Sequence, residues 1–252
     1  MMYLNKSFCD AVEAASTTAP DELILLTLRH GESLGQRNIA AYKELGDHAI
    51  PITRLGIRQS IAAANIIGRL SFAAKFNSLQ IISSTGERAE TTAEILYDVL
   101  IGTRKDLALL KDGRLDKQKF GRFDGFFSDE ERARSVPADY QTYLREEAPK
   151  GKFFARPPKG ESIADVQDRM GECLAELMKN PKPTIIVTHG TNTLCIDNIL
   201  LGLGEEWVLD NIDKRPNCSV HLITGSAEGG FKKTILAQKP LKQQMAGLNL
   251  VK

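Results

Sequence analysis

The sequence lacks an excess of either charge. Its 33 lysines and arginines face 32 aspartates and glutamates, which gives a formal net charge of +1 at pH 7. Since an extended basic surface is not expected at this balance, neither is non-specific binding to nucleic acid. We expect an anionic ligand to be bound by a local cluster of positive groups instead.

Cysteines and long apolar runs are also scarce. The four cysteines form no CxxC pair and no Cys/His spacing typical of zinc sites, which predicts free thiols in a reducing compartment. The apolar runs are too short to span a bilayer, and residues 1–20 show no apolar stretch behind a basic start. We therefore expect a cytoplasmic protein with no membrane association, no metal and no cofactor.

Short apolar runs alternate with segments of helical periodicity. Runs typical of buried strands lie at 23–28, 79–82, 184–188 and 219–224, with an edge strand at 234–238. Apolar residues with helical spacing follow Thr53, extend over 89–100, and follow both Ser162 and Gly190. This alternation predicts a three-layer α/β/α fold with a mostly parallel central sheet.

The length of 252 residues fits one α/β domain. Residues 1–21 precede the first strand and are interpreted as an N-terminal extension. The stretch from about 109 to 159 is rich in charge, glycine, proline and aromatic residues, with weak periodicity. It is interpreted as a helical and loop insertion over the active edge of the sheet, where it would shape a substrate pocket.

Polar clusters follow three of the predicted strands. They are Arg29–Ser33, Ser83–Arg88 and His189–Asn192. Ligands of parallel sheets bind beyond the carboxyl ends of the strands, so we expect the clusters to converge there. Together they supply two arginines and two histidines, and helix N-termini add backbone N–H groups. Arginine binds phosphate oxygens and imidazole is a nucleophile at neutral pH, so the set suits phosphoryl transfer.

Five segments resemble the histidine phosphatase superfamily, also called the phosphoglycerate mutase-like family. LRHGES at Leu28–Ser33 resembles its opening motif, SSTGERAETTAEIL at Ser83–Leu96 its second, and VTHG at Val187–Gly190 its third. The segments Ile50–Ser60 and Pro158–Arg169 are similar to two further family segments. The matches occur in order from about residue 23 to about residue 200.

The resemblance implies a role for each matching residue. His30 would be the nucleophile, and the phosphate would be bound by Arg29, Arg88, His189 and Gly190. Gln36 stands where the family usually has asparagine, so a longer amide would reach the phosphate. Gly31 would let the backbone approach the ligand closely.

One departure concerns the general acid. GRLDKQKFGRFDGF at Gly113–Phe126 resembles the region that supplies a glutamate, but Lys117 occupies that position. Asp116 could serve as the acid, or the leaving group could need little protonation, as with phosphohistidine or an acyl phosphate. The third alternative is a chain that binds phosphate without turnover.

These observations predict a phosphatase that hydrolyses a small phosphomonoester, or a phosphohistidine-like substrate, through a phosphohistidine on His30. The alternatives are a phosphoglycerate mutase-type phosphotransferase and, because of Lys117, a non-catalytic phosphate-binding module. The segment KQKFGRFDGF does not resemble the tyrosine-containing segment of the family's mutases, which favours the phosphatase.

Overall fold

A computed structural model describes residues 22–70, 78–103 and 106–237 of the chain. The predicted N-terminal extension, 1–21, lies outside these ranges. The strands are β1 (Leu23–Arg29), β2 (Ser78–Ser83), β3 (Asp106–Lys111), β4 (Thr184–Thr188), β5 (Val220–Ser226) and β6 (Gly230–Ala237). The helices are α1 (Leu34–Arg37), α2 (Ala41–Leu45), α3 (Arg54–Arg69), α4 (Glu87–Leu100), α5 (Asp129–Ser135), α6 (Pro137–Thr142), α7 (Ile163–Lys179), α8 (Gly190–Leu201) and α9 (Glu205–Asn211).

The strands form one sheet in the order β3-β2-β4-β1-β5-β6. The first four strands in this order are parallel, whereas β5 is antiparallel to β1 and β6 is antiparallel to β5. This confirms the predicted three-layer fold with a mostly parallel sheet. The central position of β4 and β1 explains their continuous apolar sequences, because a strand covered on both faces has no solvent-exposed side that would carry polar residues.

Each face of the sheet is covered by helices. On β1, the side chains of Ile24, Leu26 and Leu28 belong to the core beneath α3 and α4. Leu23 and Leu25 point to the opposite face, where α7 and α8 cover them. The alternation of strand side chains therefore divides one apolar run between two cores.

Two helices begin at the residues that the sequence predicted. The Thr53 side chain accepts the N–H of Gly56 at the start of α3. At α7, Ser162 accepts the N–H of Asp165, while the Asp165 carboxylate accepts the N–H of Ser162. This capping box satisfies donors that the first turn of a helix leaves unpaired, and caps of this kind contribute about 1 kcal/mol.

Strand β3 was not predicted. Its residues Asp106–Lys111 pair in parallel with β2 at the edge of the sheet, and both ends of the strand are exposed. An edge strand buries less side-chain surface, so its apolar pattern is weaker. In addition, the end of β3 overlaps the start of the predicted insertion at about residue 109. The segment that follows, 112–162, contains short 3₁₀ turns together with α5 and α6. No helix in the described ranges is both long and apolar enough to cross a membrane.

Candidate active site

The register of the sheet brings the three polar clusters together. β4 lies between β2 and β1, with Thr188 opposite Arg29 and Val187 opposite Ser83. The backbone continues this pairing past the strand ends, because the N–H of His30 donates to the Thr188 carbonyl at 2.9 Å. The three clusters therefore begin side by side at the carboxyl edge of the sheet, which confirms the predicted convergence.

His30 is buried and held in one tautomer. Its side chain is 5% exposed, and its Nδ1 lies 2.8 Å from the carbonyl oxygen of Gly31. Because a carbonyl only accepts, Nδ1 carries the hydrogen and the lone pair is on Nε2. Burial, together with the charges of Arg88 and Arg29, holds the pKa of His30 well below the usual value. The imidazole is therefore neutral, with Nε2 available as a nucleophile.

His189 and Arg88 lie next to this imidazole. The two histidine rings meet edge to face with centroids 5.2 Å apart. Arg88 Nη2 lies 3.4 Å from His189 Nδ1, and Ser84 Oγ lies 2.9 Å from His189 Nε2. Since a guanidinium only donates, Nδ1 accepts and Nε2 carries the hydrogen. Burial and the charge of Arg88 also lower the pKa of His189.

Asp116 lies at the end of a hydrogen-bond chain from His189. Ser84 Oγ donates to Asp116 Oδ1 at 3.0 Å, and the N–H of Thr85 donates to the same oxygen at 2.8 Å. The Thr85 hydroxyl is a third donor, at 2.9 Å. With Oδ1 occupied in this way, the geometry favours a role for Asp116 in orienting Ser84 and His189 over its proposed role as the acid.

Asp47 is a member of the site that the sequence reasoning missed. Its main-chain carbonyl accepts from Arg88 Nη1 at 2.5 Å, and its Oδ2 lies 3.0 Å from Arg88 Nη2. Its other carboxylate oxygen lies 2.6 Å from Lys117 Nζ. Burial alone would raise the pKa of Asp47, but the charges of Lys117 and Arg88 outweigh it and the pKa is lowered. The residue lies in the loop after α2, outside the motifs, and carried no sequence signal.

Arg29 lies near His30, and part of its guanidinium is already hydrogen-bonded to the protein. Its Nη1 donates to the main-chain carbonyl of Arg215 at 2.6 Å, and its Nε is buried without an acceptor in the described part of the chain. Gly190 packs beside it, so that a Cβ there would lie 3.8 Å from the guanidinium carbon.

Gln36 is connected to His30 only through another side chain. Its amide oxygen accepts the N–H of Ser33 at 3.1 Å, which caps α1, and its Nε2 contacts Asn217 Oδ1 at 3.2 Å. Asn217 in turn donates to the main-chain carbonyl of His30 at 2.8 Å. Gln36 therefore reaches the backbone of His30 through Asn217, a second residue that the sequence reasoning missed.

The structure gives a reason for glycine at position 31 that does not involve a ligand. A Cβ at this position would lie 2.7 Å from the main-chain oxygen of Gly56, closer than real contacts allow. The glycine is therefore explained by the approach of the N-terminus of α3 to the loop after β1. Contact with a ligand is not needed to account for it.

Several of these residues line one cavity, which we call the active-site cavity, whereas His30 and Arg29 lie outside its lining. Its volume is about 280 Å³, and its lining includes Arg88, His189, Ser84, Asp116 and Lys117. Asp124 also lines it. Asp124 is exposed, but partial desolvation raises its pKa and Asp47 adds to the effect, against the opposing charge of Lys117. Within the described ranges no group of three or more His, Cys, Asp or Glu side chains is arranged to hold a metal ion.

A mostly parallel sheet with two buried histidines and an arginine at its carboxyl edge makes this an α/β protein with a cationic and imidazole-bearing candidate site. The sequence profile of the histidine phosphatase superfamily (branch 1) matches residues 25–236. The chain belongs to this superfamily, which confirms the family predicted from the five motifs.

Curated relatives agree with this assignment, and solved structures share the fold. A phosphoglycerate mutase-like protein of Arabidopsis thaliana is 27% identical over 235 residues, which cover 84% of this chain and 76% of that protein. A Yersinia pestis protein named a probable phosphoglycerate mutase is 30% identical over 179 residues, covering 70% and 74%. A mycobacterial glucosyl-3-phosphoglycerate phosphatase solved with VO3 has a TM-score of 0.58 at 24% identity, covering 84% and 97%. The Shigella flexneri alpha-ribazole phosphatase has a TM-score of 0.61 at 19% identity, covering 86% and 96%. At these identities the structures support the fold alone.

Proposed function

We propose that this protein is a phosphatase that takes the phosphoryl group of a small phosphomonoester onto Nε2 of His30 and then transfers it to water. The observation that carries the proposal is the neutral, oriented imidazole of His30, with its ring 5.2 Å from that of His189 and beside the charge of Arg88. A nucleophile that is unprotonated at neutral pH needs no separate base.

The cations around His30 would bind the phosphoryl oxygens. Arg88 and Arg29 both contribute positive charge at His30, and the buried Nε of Arg29 is a donor without an acceptor in the described chain. The N-termini of α4 and α8 lie within the second and third clusters and would add backbone N–H groups. Stabilisation of charge on the transferring oxygens supplies most of the rate in phosphoryl transfer.

The reaction would run in two steps. In the first, His30 Nε2 forms a bond to phosphorus while the bond from phosphorus to the ester oxygen breaks, and that oxygen keeps the electron pair and takes a proton from solvent. In the second, water attacks phosphorus and returns a proton to solvent, while the bond to Nε2 breaks with its electron pair on Nε2, which restores the neutral imidazole. A cytoplasmic location completes the proposal and rests on the sequence alone.

A phosphoglycerate mutase is the second candidate, because the Arabidopsis and Yersinia relatives carry names of that kind. A mutase must retain its phosphorylated product and return the phosphoryl group to it. Interconversion of 2- and 3-phosphoglycerate faster than phosphate release would decide for the mutase.

The test of the main proposal is hydrolysis of p-nitrophenyl phosphate by the wild type and by His30→Ala. This leaving group needs little protonation, so the assay examines the nucleophile apart from the question raised by Lys117. We expect activity to fall by about 10³-fold or more in the variant, with folding checked by circular dichroism. Quenched wild-type enzyme should carry one acid-labile phosphoryl group, which the variant lacks. A folded wild type without activity would instead support the non-catalytic phosphate-binding module.

A further inference from the structure

A second cavity lies beside the active-site cavity. Its volume is about 450 Å³, and five aromatic side chains line it. They are Tyr42, Phe120, Phe123, Phe126 and Phe127. We call it the aromatic chamber. Four of the rings come from the segment after β3, and Tyr42 comes from α2.

The two cavities share a wall. Asp47, Lys117 and Asp124 line both of them. Asp47 is also bonded to Arg88, which places this shared wall next to the proposed phosphate site. A phosphoryl group bound at Arg88 and His189 would therefore direct its ester substituent past Lys117 and into the aromatic chamber.

The cations of the aromatic chamber already make ion pairs, although Nε of Arg132 is buried without an acceptor in the described part of the chain. Lys117 is bonded to Asp47, Lys43 lies 3.6 Å from a Glu131 oxygen, and Arg132 lies 2.9 Å from an Asp129 oxygen. A carboxylate on the substrate, as in a phosphoglycerate, would have to compete with these ion pairs. The rings already contact one another and these cations, as where Tyr42 meets Phe127 at 5.3 Å and Lys43 lies 5.3 Å from the Phe126 centroid. Stacking of a flat apolar group on the parts of the rings that line the chamber is favourable.

Lys117 also fits a particular leaving group. Its Nζ lies 5.0 Å from the centroid of the Tyr42 ring and 5.3 Å from that of Phe120, at the boundary of the two cavities. A phenol has a pKa near 10, far below that of an aliphatic alcohol, so an aryl oxide can depart without full protonation. An ammonium at this boundary would stabilise the negative charge that develops on the departing oxygen.

We infer that the aromatic chamber binds the leaving group of an aryl phosphomonoester, with Lys117 beside the ester oxygen. The inference rests on the proposed function and names its substrate class. The bond from phosphorus to the aryl oxygen breaks, the electron pair stays on that oxygen, and the resulting phenolate takes a proton from water. His30 Nε2 holds the phosphoryl group, as in the proposed first step.

Binding of phosphonates tests the chamber without turnover. We would measure Kd by calorimetry for phenylphosphonate and methylphosphonate, with the wild type and with Phe120→Ala, Phe126→Ala and Phe126→Leu. The wild type should bind phenylphosphonate about tenfold or more tightly than methylphosphonate. Both alanine variants should lose most of this preference while their affinity for methylphosphonate stays the same, and Phe126→Leu should lose part of it. Phe154→Ala is the matched control, because Phe154 is 46% exposed and does not line the chamber.

Two results would overturn the inference. One is equal affinity of the wild type for both phosphonates, and the other is a preference that survives in both alanine variants. Acetyl phosphate has no ring and a good leaving group. Its hydrolysis distinguishes a failure of the inference about the aromatic chamber from a failure of the proposed function. Hydrolysis of acetyl phosphate that depends on His30 would preserve the phosphatase proposal even if the chamber showed no aryl preference.

Discussion

Arg29 Nη1 donates a hydrogen bond of 2.6 Å to the main-chain carbonyl of Arg215, in the loop that precedes β5. The Arg215 guanidinium is itself buried and bonded to the carboxylate of Asp197, which is fully buried on α8. Lys233 of β6 lies 2.9 Å from the same carboxylate. A buried ion network therefore fixes the loop that contacts an arginine of the proposed phosphate pocket.

Replacement Asp197→Asn tests this network. The change would leave two cations, Arg215 and Lys233, against a neutral amide in the protein interior. We expect the free energy of unfolding to fall by about 3–5 kcal/mol in urea denaturation. Lys150→Ala, which removes an exposed ion pair with Glu147, should cost less than about 1 kcal/mol. Equal effects of the two variants would show that the buried network contributes no special stability.

The stability of the protein should fall on acidification because of His221. Burial, with the charges of Arg215 and Lys233, lowers the pKa of His221 to about 2. Above the usual histidine pKa both states are neutral, whereas below it only the unfolded state takes up the proton, so acid favours unfolding. Between about pH 7.5 and about pH 5.5 this group should remove about 1.4 kcal/mol.

Urea denaturation of the wild type and of His221→Gln at both pH values checks this effect. His30 and His189 are present in both proteins, so their own contributions cancel in the comparison. The wild type should lose about 1.4 kcal/mol more than the variant. The same loss in both proteins would contradict the lowered pKa.

The role of Asp116 can be decided by comparing two substrates. If Asp116 orients His189 through Ser84, Asp116→Asn should reduce kcat/KM by about tenfold for both an alkyl phosphate and p-nitrophenyl phosphate. Ser84→Ala interrupts the same chain and should reproduce the pattern. A loss confined to the alkyl phosphate would restore Asp116 as the acid, because only that leaving group needs a proton.

Asp124 is the better candidate for a proton donor to a poor leaving group, since it lines the active-site cavity and its pKa is raised. Asp124→Asn should lower kcat for an alkyl phosphate by about 100-fold. The rate with p-nitrophenyl phosphate should change by less than about threefold. Glu130→Gln, on an exposed residue of α5, serves as the control for a change of charge. Equal losses with both substrates would exclude proton donation by Asp124.

Gly31→Ala should destabilise the protein through a clash with α3. The added Cβ would meet the Gly56 oxygen at 2.7 Å, and relief of such overpacking costs about 1–3 kcal/mol. Gly171→Ala on α7 is the matched control, because a Cβ there has no heavy atom within 4 Å. Alanine should raise helix stability at that position by about 0.5–1 kcal/mol. Thermal unfolding of both variants measures the two opposite effects, and an unchanged Tm for Gly31→Ala would contradict the clash.

Much of the fold and part of the site could be predicted because they depend on local patterns. Continuous apolar runs identified β1 and β4, and the Ser162–Asp165 capping box identified the start of α7. Strand β3 was not predicted because an edge strand has a weak apolar pattern. The convergence of His30 and His189 followed from the rule that parallel strands present their carboxyl ends at one edge.

The sequence by itself determined the family, the α/β layering and the identity of the strand-end residues, because each follows from periodicity or from a contiguous motif. Only the tertiary structure decided which tautomer His30 adopts, that Asp47 joins Arg88 to Lys117, and that an aromatic chamber lies beyond them. The tautomer of His30 depends on the orientation of the neighbouring Gly31 carbonyl, whereas the other two relationships join residues far apart in the chain. They depend on the packing of the segment after β3 against α2, and no local pattern records a distance between side chains.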